Sequence, residues 1–255
     1  MTNARNQILR EFGASIEGET NWPRPICPTC DRGHIGFGEP TTNESGETRH
    51  LHGEDWFDPE YIVGSFEARA VCENASCGQV VTALGAYKVV QTTDPNYERM
   101  EYRHIYQVEF FSPPLTLLPL PEEVPEAVRE AVERAAKILF AEPGLAATAL
   151  RTSVERFLTS EGIEARSPAG HFVNLDTRIK AWNTSASRKR AADLFLAVKW
   201  IGNEGTHEVS DLVVGDVVDG LEFIDEAFHG LYVGPDLDAR AGAVNANKGR
   251  PKIPS

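Results

Sequence analysis

The chain has no apolar run approaching the roughly 18 residues that a helix needs to cross a bilayer. Its start, Met1-Thr-Asn-Ala-Arg-Asn-Gln7, lacks the apolar core of a secretory leader. The expectation is a cytoplasmic protein with no membrane partner. Positive charge is also scarce: 25 Lys and Arg stand against 38 Asp and Glu, a net charge of −13. That balance argues against a surface that holds nucleic acid by charge alone, so any such contact must be local. Cysteine is scarcer still, with 4 in 255 residues. In a reducing compartment clustered cysteine pairs serve metals more readily than disulfides. No phosphate-cradling glycine loop, Gly-x-Ser-x-Gly elbow or internal repeat is present, which removes the motif-based nucleotide-binding and serine-hydrolase readings.

What is present begins with those cysteines. A rigid approach, Trp22-Pro-Arg-Pro-Ile, leads into Cys27-Pro-Thr-Cys30, and a second pair lies in Cys72-Glu-Asn-Ala-Ser-Cys77-Gly78. Two pairs, each on its own tight turn, can bring four thiolates to the corners of a tetrahedron about Zn²⁺. Cys27, Cys30, Cys72 and Cys77 are therefore the expected ligands of a structural zinc, closed to water and so unsuited to catalysis. The other readings are four ordinary buried thiols, or a mixed site using His34, His50 or His52 from the long segment between the pairs. Thr41 to Asp55 is polar and turn-rich, an expected exposed excursion. Residues 61–71, 80–91 and 102–111 are rich in β-branched and aromatic residues and read as strands of an antiparallel sheet, with a turn over Thr92 to Glu98. Residues 22–111 thus read as a zinc-ribbon β domain. Ahead of it, residues 1–21 carry only Ile8, Leu9 and Phe12, either a helix packed on the rest or a mobile arm.

Four prolines between Ser112 and Pro121 hold the backbone extended, and residues 112–123 read as a linker. Beyond it the period changes to 3.6, marking an all-α domain over 124–232. Val124, Val128, Ala131, Val132, Ala135 and Leu139 form one stripe, with Glu130–Arg134 and Glu133–Lys137 expected to pair on the wet side. Pro143-Gly144 reads as that helix's end. A second helix runs through Ala146, Leu150 and Phe157 to Gly162, and a short one covers Leu175 to Trp182. Arg188, Lys189 and Arg190 then open a helix against its dipole, which marks them either as a contact for an anionic partner, RNA or DNA, or as a solvated patch. That helix continues through Leu194, Phe195, Val198 and Ile201 into Gly202 and Gly205, with Lys199, Asn203 and His207 nearby. The imidazole either handles protons and phosphate oxygens or ties its own backbone together. Ser210-Asp211 reads as the N-cap of a last helix containing Val214, Val217, Leu221 and Phe228. Residues 233–255, ending in a basic stretch, read as a disordered tail.

The order of two cysteine pairs, a Pro-rich joint, Leu120-Pro-Glu-Glu-Val-Pro125, Ala149-Leu-Arg-Thr-Ser-Val-Glu-Arg156 and Ile201-Gly-Asn-Glu-Gly-Thr-His207 resembles a bacterial domain-of-unknown-function family, number 4145, over residues 22–231. Its helices are similar to the HEPN superfamily of all-α, often dimeric domains found in toxin and antiphage systems. The resemblance implies an α+β chain, an N-terminal β-rich zinc ribbon followed by an all-α HEPN-like helical bundle. It also implies a homodimer formed through that bundle and a restriction or defence protein partner. Active HEPN ribonucleases use an arginine, a polar residue and a histidine. Here Asn203 and His207 match the last two, Gly202 stands where the arginine should be, and Lys199 is the nearest substitute cation. Two functions follow: a non-catalytic module that binds nucleic acid or a partner protein, and a metal-independent endoribonuclease using His207, Asn203 and Lys199.

Overall fold

The computed structural model describes residues 2–94, 99–206 and 210–234, with 241 and 245. In chain order it places α1 (Thr2–Gly13), β1 (Ile16–Glu17), β2 (Thr41–Glu44), α2 (Gly46–Leu51), β3 (Val63–Val71), β4 (Val80–Asp94) and β5 (Arg99–Ser112). There follow α3 (Glu126–Ile138), α4 (Pro143–Ser160), α5 (Leu175–Trp182), α6 (Ala186–Glu204) and α7 (Val214–Phe228), continued by one π turn. The fold is mixed α+β, with an antiparallel sheet first and helices after it. No described helix is long and apolar enough to cross a membrane.

The five strands lie in the order β1-β5-β4-β3-β2, each pair antiparallel. Period two sorts their faces: Phe66, Ala68 and Ala70 of β3 are buried while Glu67 and Arg69 are exposed. Val81, Ala83, Tyr87 and Val89 of β4 join them, as do Tyr106 and Val108 of β5. Then the parity of β5 changes. Leu84 faces Phe110 but Gly85 faces Val108, so Glu109 is an extra residue and Phe111, not Phe110, turns inward. A glycine is needed at the step, because a Cβ on Gly85 would overlap the Gln107 carbonyl oxygen.

Thr41 to Asp55 is exposed or half-buried apart from Thr48, as expected, but it is not irregular. It forms the edge strand β2 and the helix α2, capped by Ser45, whose Oγ accepts the Thr48 N–H at 3.0 Å. Thr48 is fully buried, and its hydroxyl lies 3.2 Å from the Tyr61 carbonyl and 3.1 Å from the Val63 N–H. The polar composition hid this element because a hydroxyl, not a hydrocarbon, makes its inward contact. Pairing of β4 with β5 also runs past Thr92 to Asp94 and Arg99, and residues 95–98 of the expected turn lie outside the described residues.

In the helical part the apolar stripes fall where the period put them: Val128, Ala131, Val132 and Ala135 of α3, and Ala146, Leu150, Val154, Phe157 and Leu158 of α4, are buried. Two details differ from the sequence reading. Pro143 opens α4 in its first turn instead of closing α3, a position where a missing N–H costs nothing. The start of α7 is held by Asp216, whose Oδ2 accepts the Val213 N–H at 2.9 Å, and not by Ser210 or Asp211. Among the described residues, the ion pair on α3 is Glu126–Arg129 at 3.9 Å, and neither Glu130–Arg134 nor Glu133–Lys137 forms.

Of the two readings of residues 1–21, the packed helix holds. Phe12 is wholly buried and meets Phe37, Phe111 and Phe140 edge-on, at centroid distances of 6.1, 4.9 and 6.4 Å. The opposite side of α1 grips α7: Arg10 donates to the Gly215 carbonyl at 2.7 Å and to Asp219 at 2.6 Å, and Asn6 donates to Glu222 at 3.2 Å. Residues 112–123 bury Leu115, Leu117 and Leu118. Sheet, strap and helices share one continuous apolar core.

Candidate functional site

Each cysteine pair is shaped by its own turn. In the first, the Cys27 N–H donates to the Gly33 carbonyl at 2.8 Å and the Asp31 N–H to the Cys27 carbonyl at 3.1 Å. Asp31 takes a positive φ of 51° to close it. The second turn is the tip of the β3–β4 hairpin. The Cys72 N–H donates to the Gln79 carbonyl at 2.8 Å, the Cys77 N–H to the Asn74 carbonyl at 2.8 Å, and Gly78 has φ 64°. A bridge between Ile35 and Cys72 clamps the two turns together. Their approach leaves no room beside Gly33, where a Cβ would overlap Cys72 Sγ.

The four sulfurs all lie within 4.8 Å of one another. Cys27 and Cys77 are 3.8 Å apart, and Cys30 and Cys72 3.7 Å, so each close pair takes one sulfur from each turn. A zinc–thiolate bond of about 2.3 Å sets tetrahedral sulfurs about 3.8 Å apart, which these two edges match. Donor chemistry fits as well. The main-chain N–H groups of Gly33 and Arg32 lower the Cys30 thiol to about 6, well under its ordinary value. Burial pushes Cys72 the other way, up to about 12. Four thiolates this close repel one another, and a cation at their centre removes the conflict. The histidines stay outside the cluster. His50 Nδ1 lies 2.6 Å from the Gly46 carbonyl, His52 Nε2 lies 2.7 Å from Glu44 Oε2, and among the described residues the metal-holding group is the four cysteines, without His34.

The sequence reading missed two residues that support this centre. Arg5, only 8% exposed, reaches from α1 to Asp31 at 2.6 Å and to the Thr116 carbonyl at 3.1 Å. Asn74 donates to Cys30 Sγ at 3.7 Å and accepts the Ser76 N–H at 3.2 Å. An Asn inside Cys-Glu-Asn-Ala-Ser-Cys was a legible turn former; Arg5 carried no signal.

In the helical part, α6 passes through Gly202 and is capped at Gly205. Lys199 and Asn203 therefore sit one turn apart. Lys199 Nζ lies 3.6 Å from Asp176 Oδ1 and 3.5 Å from the centre of the Trp200 ring, with its side chain 12% exposed. Its charge is engaged within the fold. The Asn203 carbonyl accepts the Thr206 N–H at 3.0 Å and its hydroxyl at 2.6 Å, which closes the helix end. His207 lies outside the described residues. The cations at the start of α6 are compensated: Arg188 pairs with Glu161 at 3.0 Å and stacks over Trp182, and Arg190 pairs with Glu226 at 2.7 Å. Lys189 is exposed beside them. Carboxylates from α4's C-cap and from α7 thus offset two of the three cations at this helix terminus.

Residues 16–115 match the family model described as Domain of unknown function (DUF8608), and residues 133–247 match that described as Domain of unknown function (DUF4145). No curated protein and no solved structure matches the chain. The resemblance drawn over residues 22–231 thus divides in two. The sheet with its cysteine turns is similar to the first family, and the helices from within α3 onward are similar to domain-of-unknown-function family 4145.

Proposed function

We propose that this protein is a zinc-stapled, non-catalytic binding module, in which the β part with its metal and a HEPN-like helical part together present a surface to a partner protein in a bacterial defence or restriction setting. The observation that carries this reading is the four-sulfur cluster. Its donors are complete, so a bound zinc would have no open position for substrate or water, and its role would be to fix the two turns. A protein partner is favoured over RNA or DNA by the net charge of −13 and by the pairing of Arg188 and Arg190 with carboxylates.

Elemental analysis of freshly reduced protein is expected to give one zinc per chain, and Co²⁺ substitution the intense visible bands of tetrahedral thiolate coordination. Cys72→Ser should abolish both. Metal-free protein, or cobalt spectra of an octahedral site, would overturn the assignment. In this reading Lys199 ties α6 to α5 through Asp176, Asn203 closes the end of α6, and neither does chemistry. RNA incubated in EDTA with the wild type and with His207→Ala is expected to stay intact in both; cleavage by the wild type alone would reinstate the ribonuclease.

A further inference from the structure

The four sulfurs of the cluster differ in their access to solvent. Cys27 and Cys72 are buried, whereas Cys30 and Cys77 are half-buried. Those two open into a surface hollow of about 440 Å³, lined also by Thr29, Arg32, Asn74 and Ser76. A small neutral oxidant such as hydrogen peroxide has room to enter it. Each accessible sulfur also has a buried one from the other turn against it: Cys30 lies 3.7 Å from Cys72, and Cys77 lies 3.8 Å from Cys27. An accessible thiolate with a second sulfur in contact is the arrangement in which a sulfenic acid goes on to a disulfide. Cys30 is held in that reactive form by two donors, the Gly33 N–H at 3.4 Å and the Asn74 side-chain amide at 3.7 Å.

The same contacts select which sulfurs join. Each needs to move by only about 0.9 Å to reach the bonded distance of about 2.05 Å. Both bonds run between the turns, joining residues 50 and 42 positions apart. Bonds within the turns, Cys27 to Cys30 and Cys72 to Cys77, span three and five positions. Closing the longer loops removes more freedom from the unfolded chain, and crosswise bonds hold together two turns that bonds within each turn leave free to part.

We propose that the cluster is a modification site for peroxide, at which Cys30 joins Cys72 and Cys77 joins Cys27 in two disulfides that release the zinc and keep the turns stapled. The proposal deepens the zinc reading and rests on it for the ion released, but not for which sulfurs join. In each pair the accessible thiolate attacks the peroxide; an S–O bond forms, the O–O bond breaks and hydroxide leaves. The buried thiolate then attacks that sulfenic sulfur; the S–S bond forms, the S–O bond breaks and a second hydroxide leaves. Two peroxides thus accept four electrons from four thiolates, giving two disulfides and four hydroxides. Zinc, left without donors, passes into solution.

The test adds two equivalents of hydrogen peroxide to the full reduced chain, its zinc content measured beforehand, and follows free zinc with the dye 4-(2-pyridylazo)resorcinol. One zinc per chain is expected to be released, the intact mass falling by about 4 Da for the four thiol hydrogens lost. Dithiothreitol with added zinc should restore both. Tryptic digestion without reductant should give the fragment carrying Cys27 and Cys30 bonded to the one carrying Cys72 and Cys77, and tandem mass spectrometry should resolve the bonds as Cys30–Cys72 and Cys27–Cys77. The oxidised chain should keep the Trp22 indole N–H resonance of the zinc form. Fragments closed on themselves, the opposite crosswise pairing, sulfinic acids in place of disulfides, zinc retained through about a tenfold excess of peroxide, or loss of the Trp22 resonance overturns the proposal. A chain that carries no zinc before peroxide sinks the metal reading; in that chain the same two bonds uphold the pairing, and their absence overturns it.

Discussion

Gly202 lies inside, and Gly205 at the end of, a helix whose apolar period is otherwise regular, and read along the chain each is a costly residue for a helix. Their reason lies on another helix. A Cβ on Gly202 would overlap Arg151 Cβ and stand 2.9 Å from the Ala147 carbonyl oxygen; one on Gly205 would overlap the Gly144 carbonyl oxygen. These obstacles are backbone and the base of a side chain, which no rotamer change clears, so α6 and α4 must part to admit a methyl group. Gly205→Ala is expected to destabilise the protein by about 1–3 kcal/mol. Gly46→Ala, at a glycine with nothing within 4 Å of its Cβ position, serves as the control and should be neutral. Urea denaturation of the two variants decides; a neutral Gly205→Ala would show that the helices do not approach this closely. The sequence could not reveal this because periodicity reports which face of a helix is apolar, not how near the next helix comes. The cysteines lie at the other extreme. Their spacing within each turn is the chemistry, and the four sulfurs meet although 41 residues separate the pairs.

At the level of elements, β3, β4 and β5 were legible because each runs long enough to show alternation, while β1 and β2, with 2 and 4 residues, were not. The edge of the sheet shows what compensates for such a short strand. Among the described residues β2 pairs with β3 alone, and α2 is hung from the same region by Thr48, whose hydroxyl accepts the Val63 N–H at 3.1 Å and lies 3.1 Å from Ser45 Oγ. Thr48→Val keeps the volume but strands these partners in a buried position, a cost of about 1–3 kcal/mol. Hydrogen exchange of the full chain should therefore speed up in Thr42–Leu51 of the variant, with the β4–β5 ladder keeping its protection. Uniform acceleration through all five strands would place the effect on global stability and refute a local role for this hydroxyl.

At the scale of the whole molecule, the sequence divides the chain at its prolines, where period two gives way to 3.6, and two independently stable units would be the natural inference. α1 argues otherwise. It comes from the N-terminal side of that division, yet it places Phe12 among Phe37, Phe111 and Phe140, clasps α7 through Arg10 and Asn6, and ties the first cysteine turn through Arg5 and Asp31. Gly13 lies so close to the start of α7 that a Cβ there would overlap Val214. An element shared this way makes the stability of each part depend on the other. Phe12→Ala, which opens a cavity where sheet, strap and helices converge, is expected to cost about 3–5 kcal/mol and to lower the melting of both parts together. The check is one thermal scan followed by two probes, the indole N–H resonance of Trp22, buried at 5% exposure against Phe66 and Tyr106 in the β part, and far-ultraviolet ellipticity, dominated by the helices. Both should move through one transition in the wild type and through one transition at a lower temperature in the variant. If instead the helices melt at an unchanged temperature after the tryptophan signal is lost, the two parts fold independently and α1 is only a surface helix of the first.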